Sequence, residues 1–176
     1  MNATIARRLV TDFLLPDGDE VIEVMPGEVA SIVVTGRADW RVEPLREIGT
    51  TETSPGYRLF VAESAMTDVG DPEDGFAVLP DGRAFHLNDP AQLKAFHRRV
   101  GTGPLETAFL VASYVEPQPA PRFLVTGPDP EPPVLTGDGP TRVTLCTYTR
   151  RGEGERAYER WEVAVGEDVE WTRANL

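Results

Sequence analysis

The sequence predicts an α+β fold: a mixed or antiparallel sheet with an N-terminal helix, two central helices and a C-terminal three-stranded antiparallel meander. Three observations predict it. Apolar residues recur at helical spacing near the N-terminus and again after Asp89. β-branched runs broken by Pro- and Gly-containing turns fill much of the remainder. Arg142 to Thr172 alternates apolar and polar residues on either side of tight turns. Helices and strands thus come in blocks, without the strict alternation of a parallel α/β sheet.

In chain order, Ile5, Leu9, Val10, Phe13 and Leu14 form one apolar stripe, interrupted by Arg7, Arg8 and Asp12, and predict an amphipathic helix over Thr4–Leu15. Pro16-Asp17-Gly18 ends it, because proline cannot continue the hydrogen-bond ladder and glycine accepts a positive φ. Glu20–Met25 and Glu28–Thr35, separated by Pro26-Gly27, read as a β-hairpin. In the second run Ala30, Ile32 and Val34 face one way and Val29 and Val33 the other, so both faces are expected to be covered. A third strand is expected at Trp40–Val42, with Pro44 denying it a central position beyond that point. Thr50–Gly56 reads as a polar loop, Tyr57–Glu63 as a strand, and Ser64–Gly75 as an exposed acidic loop. Phe76–Leu79 and Arg83–Leu87 flank Pro80-Asp81-Gly82, a turn in which proline presets φ, and predict a second hairpin.

Asp89, Pro90 and Gln92 are the N-terminal signature of a helix whose inward stripe is Leu93, Phe96, His97 and Val100, with Gly101 as its stop. The next helix, Leu105–Val115, carries apolar residues around most of its circumference and is expected to be the most buried helix. Glu116 to Pro140 then holds eight of the chain's sixteen prolines. Such a segment is extended and excluded from the middle of a sheet. Too few residues follow it to fold alone, since unstapled domains need roughly 40. It is therefore expected to be a wrapping loop or edge segment, with Phe123–Thr126 strand-like, inside a single domain spanning 1–176. Arg142–Thr149, Tyr158–Val165 and Val169–Thr172 form the meander, with Trp161, Val163 and Val165 on one face and Arg160 and Glu162 on the other. Trp161 and Trp171 are expected to face each other across the last hairpin.

Composition narrows the partners. Of 176 residues, 40 % are apolar, enough for a core, and the 26 % charged fraction gives no reason to expect wholesale disorder. Twenty-nine acids against seventeen bases leave a net charge of −12, so phosphate backbones and anionic headgroups are repelled: neither nucleic acid nor a membrane is an expected partner. Cys146 is the only cysteine, so no internal disulfide forms. Together with the lack of a secretory signal or a spanning apolar stretch, this predicts a cytoplasmic protein.

Candidate sites are few. His86, on a strand and pointing away from Phe85 and Leu87, and His97, on a helix, could approach each other, and with Asp89 or Glu106 would resemble a metal or acid–base constellation. Their spacing matches no zinc motif, and the plainer reading is two structural histidines. Cys146 lacks any neighbouring base and reads as a small core residue. The acidic loop fails the calcium-loop pattern, because Gly70 and Pro72 stand where acids are needed if Gly75 is the turn glycine. There is no Ser elbow, P-loop or dinucleotide fingerprint, so no cofactor is expected. Glu159 and Glu162 fall on opposite strand faces. Trp40, Trp161 and Trp171 could supply an aromatic binding surface, against the plainer reading of core packing for Trp161 and Trp171. The expected function is an acidic, inhibitor-like (immunity-type) protein-interaction role without catalysis, capturing a basic protein partner by electrostatic steering. The alternative is a small-molecule enzyme or carrier with a pocket near His86 and His97.

Overall fold

The β-branched runs of the first half become six short strands, each hydrogen-bonded to its sequence neighbours, in a computed structural model that describes residues 2–35, 39–48, 56–64, 73–116, 122–125, 132–137, 139–151 and 155–176. The chain divides into two compact units, Met1–His86 and Leu87–Leu176. The fold is α+β with antiparallel pairing in every strand pair described, but it has two sheets where one was expected. No helix among the described residues is long and apolar enough to cross a membrane.

In the first unit, α1 (Ala3–Leu9) starts at Asn2, whose side chain accepts from the Thr4 N–H at 2.9 Å, and runs into a π-helical turn over Val10–Leu14. The Leu15 N–H reaches back five residues to the Val10 carbonyl at 2.9 Å. This helical run matches the expected helix to within a residue at each end. Its sheet has the order β1 (Val21–Met25), β2 (Ala30–Val34), β3 (Trp40–Ile48), β4 (Tyr57–Ser64), β5 (Asp74–Val78) and β6 (Ala84–His86). Ala6, Leu9 and Val10 of the helical run pack with Ala30, Ile32, Val42, Phe60 and Phe76 in one core cluster.

Three expectations need correction here. β3 continues past Pro44 to Ile48, yet it pairs with β2 only at Trp40–Val42 and thereafter with β4 alone. The missing proline N–H thus falls where one side of the strand is unpaired, and the register shifts between Pro44 and Arg46. The second face of β2 is covered only in part: Val33 is half-buried, and Val29, just before the strand, is 39 % exposed. Burial on both faces belongs instead to β4, with Phe60 and Ala62 on one side and Leu59 and Val61 on the other. The expected acidic loop gives up its ends to strands β4 and β5; residues 65–72, like 50–55 of the polar loop, lie outside the described residues.

In the second unit, Asp89 Oδ1 accepts from the Ala91 and Gln92 N–H groups at 2.8 and 3.3 Å and opens α2 (Pro90–Val100), which Gly101 closes at φ 69°. α3 (Pro104–Tyr114) packs on the strands Thr141–Arg151 and Glu155–Val165. It is the helix with the most buried residues, as expected, although Leu105 and Phe109, one turn apart, are 44 % and 39 % exposed. The meander is β9 (Thr141–Arg151), β10 (Glu155–Val165) and β11 (Val169–Asn175), and the described parts of the proline-rich segment add β7 (Phe123–Leu124) and β8 (Val134–Thr136) to β9. Residues 117–121, 126–131 and 138 of that segment, and 152–154 of the β9–β10 turn, lie outside the described residues. Trp161 and Trp171 are not opposite each other: the register pairs Trp161 with Arg173 and Trp171 with Val163.

Candidate functional site

The two histidines belong to different units, and each is held within its own. On β6 the register sets His86 opposite Phe76. Its ring stacks on Phe76 at 4.9 Å, and Nε2 lies 2.7 Å from Asp74 Oδ1. His97 is buried at the C-terminal end of α2. Its Nε2 lies 3.0 Å from the Gly166 carbonyl, and Nδ1 lies 3.0 and 3.2 Å from the hydroxyls of Thr102 and Thr107. A carbonyl only accepts, so Nε2 donates to Gly166, and both ring nitrogens have a partner. His97 thereby joins the end of α2, the start of α3 and the β10–β11 turn. Asp89 is occupied as a helix cap, and no group of three or more His, Cys, Asp or Glu among the described residues could hold a metal ion.

The tryptophans also differ. Trp161 is fully buried and donates from Nε1 to the Thr147 hydroxyl at 3.0 Å, while the guanidiniums of Arg122 and Arg173 lie 4.8 and 5.6 Å from its ring centroid. Both arginines bond Glu159, at 2.9 and 3.2 Å, and Arg122 also donates to the Val115 and Glu116 carbonyls beyond the end of α3. Trp171 is half-buried beneath Lys94, whose ammonium sits 5.4 Å from the ring centroid and 3.6 Å from Asp168. The Val169 N–H bond holds the Asp168 carboxyl below its ordinary value; burial opposes this, and Lys94 and Arg98 reinforce it. Trp171 borders an open, polar concavity of about 630 Å³ lined also by Thr144, Glu162 and Thr172.

A second concavity, of about 340 Å³, lies on the first sheet and draws Val29, Arg41, Glu43, Val61, Glu63 and Glu73 together. Period-two alternation builds it: Val42 and Ala62 point into the core, so Arg41, Glu43, Val61 and Glu63 line the opposite face. Arg41 lies 3.8 Å from Glu63, so among the described lining residues three carboxylates and one guanidinium share the concavity. Burial raises the Glu73 carboxyl above its ordinary value, and the charges of Glu63 and Glu43 push it the same way. This acidic groove was missed in the sequence because its carboxylates come from segments far apart in the chain, joined only by strand register. The alternating pattern of β3 and β4 places Glu43 and Glu63 on one face, in register with Val61 and Arg41 respectively, but nothing local points to Glu73.

Comparison of the chain with protein-family models, with curated proteins and with solved structures finds no match to any of them.

Proposed function

We propose that the chain is a non-catalytic, inhibitor-like interaction protein that captures a basic partner protein, with the groove of Glu43, Glu63 and Glu73 receiving a lysine or arginine of that partner. The observation that carries this reading is the Glu73 carboxyl, desolvated and crowded by two like charges in a concavity. A cation entering there relieves the crowding, while Val29 and Val61 cover its methylene stem. The net charge of −12 supplies the steering field. The engagement of His86 and His97 in packing and hydrogen bonds, and the burial of Cys146, also favour a role without catalysis. The carrier alternative draws no support from the two concavities, neither of which is lined by His86 or His97. A cytoplasmic setting, in which the lone cysteine stays reduced, suits this role.

The test is binding of a fluorescent oligo-arginine peptide. The triple variant E43Q/E63Q/E73Q is expected to bind about tenfold more weakly, and E162Q/E167Q/E170Q, with the same net charge, to bind nearly as the parent does. Wild-type affinity is expected to fall steeply with added salt. Equal weakening in both variants would reduce the effect to bulk charge and overturn the groove.

A further inference from the structure

The second sheet carries a charge pattern opposite to that of the chain as a whole. Alternation along β9 and β10 places Arg150, Arg156 and Arg160 on one face with Tyr148 and Tyr158. Glu155 and Glu159 point to the other face, and Glu162, the acid of β10 on the arginine face, lies six residues along the strand from Arg156. Arg150 and Arg156 are directly opposite each other in the register, a like-charge cross-strand pair that ordinarily destabilises a sheet. Both are exposed, and among the described residues neither is paired with a carboxylate, although acids outnumber bases in the chain. Each guanidinium instead rests on a ring: Arg150 lies 5.2 Å from the Phe123 centroid and Arg156 4.7 Å from that of Tyr148. Phe123 of β7 stacks on Tyr148 at 5.2 Å, and Tyr148 meets Tyr158 at 6.0 Å. A row of rings across three strands thus holds two unneutralised guanidiniums side by side.

We propose that this arginine–aromatic face is a docking surface for an acidic segment of a partner protein, whose carboxylates engage Arg150 and Arg156. The guanidinium fork matches a carboxylate bidentately, and a guanidinium already resting on a ring loses less freedom when it binds. An extended segment with acids at alternate positions presents charges about 6–7 Å apart, within reach of two arginines on neighbouring strands. Single-stranded nucleic acid fits less well. Base stacking needs an open ring face, yet Phe123 and Tyr148 are stacked on each other and covered by the arginines. The chain's net −12 also opposes a dense phosphate polymer more than a short acidic segment. This surface is separate from the acidic groove, and neither depends on the other.

The test uses the full chain and a fluorescent peptide of alternating glutamate and serine, with an oligo-dT of equal formal charge as competitor. The peptide is expected to bind the parent protein, and R150Q/R156Q to weaken that binding at least about tenfold while keeping the parent's circular dichroism and Tm. R83Q/R99Q, with the same change in net charge, is expected to bind as the parent does. R150K/R156K, which keeps the charge and loses the fork, should fall between. The proposal is overturned by no binding to the parent, by equal loss in both glutamine variants, or by tighter binding of oligo-dT. Self-association of the parent that R150Q/R156Q abolishes would also overturn it, making a second copy of the chain the occupant.

Discussion

At Glu73 the carboxyl loses water to burial and faces Glu63 and Glu43, so its native pKa stands above that of the unfolded chain. The native state therefore gains from protonation, a contribution present at low pH and lost as pH rises through the raised value. Glu73→Gln should accordingly raise Tm at neutral pH and leave it near the parent value in acid; a lower Tm at neutral pH would contradict the crowding. Asp168 is driven the other way by the Val169 N–H and the nearby Lys94 and Arg98. Its contribution is present above the unfolded pKa and disappears as pH falls through the depressed native one. Asp168→Asn is expected to lower Tm at neutral pH by an amount that vanishes in acid. The effect is small, because the carboxylate is exposed and such pairs give at most about 1 kcal/mol.

Between elements, two buried polar networks do the joining. Arg122, with its side chain only 2 % exposed, ties the proline-rich segment to the residues after α3 and to Glu159 on β10. Removing one ion of a buried pair leaves the other desolvated, which costs about 3–5 kcal/mol, whereas replacing both with apolar residues costs far less. Urea denaturation should show Glu159→Gln to be more damaging than the double variant Arg122→Met/Glu159→Leu. The opposite order would mean that Arg122 is held chiefly by carbonyls. His97→Ala strands the Gly166 carbonyl and the Thr102–Thr107 hydroxyl pair at a three-element joint, with an expected loss of about 2–3 kcal/mol. Hydrogen exchange should then rise first in α2, α3 and the β10–β11 turn. At the sheet edge, Pro132, Pro133 and Pro140 flank β8, where a missing N–H blunts further pairing.

Over the whole molecule, the two units carry opposite local charge, an acidic groove in the first and a guanidinium pair in the second. The chain passes from β6 to α2 through Leu87–Asp89, where Leu87 is buried and Asp89 is already the helix cap. We therefore expect the single domain read from the sequence to melt as one cooperative transition in calorimetry. Two resolved transitions would make His86/Leu87 a domain boundary.

Local periodicity and turn chemistry determined much of the architecture. The stripe from Ile5 to Leu14, the Asp89-Pro90 start and Gly101 stop of α2, and the alternation of Arg142–Thr172 each act within a few residues, where backbone geometry alone decides which side chains share a face. The shared face of Arg156 and Arg160 was implicit in that alternation, whereas Arg150, expected in the turn between the strands, joins them only through the register of β9 against β10. Tertiary structure alone decided the register that offsets Trp161 from Trp171, the exposed side of α3, and the role of Arg122. It also decided the meeting of Glu43, Glu63 and Glu73. These depend on which distant strands pair and what each face is packed against, long-range contacts whose energy no short window of sequence contains.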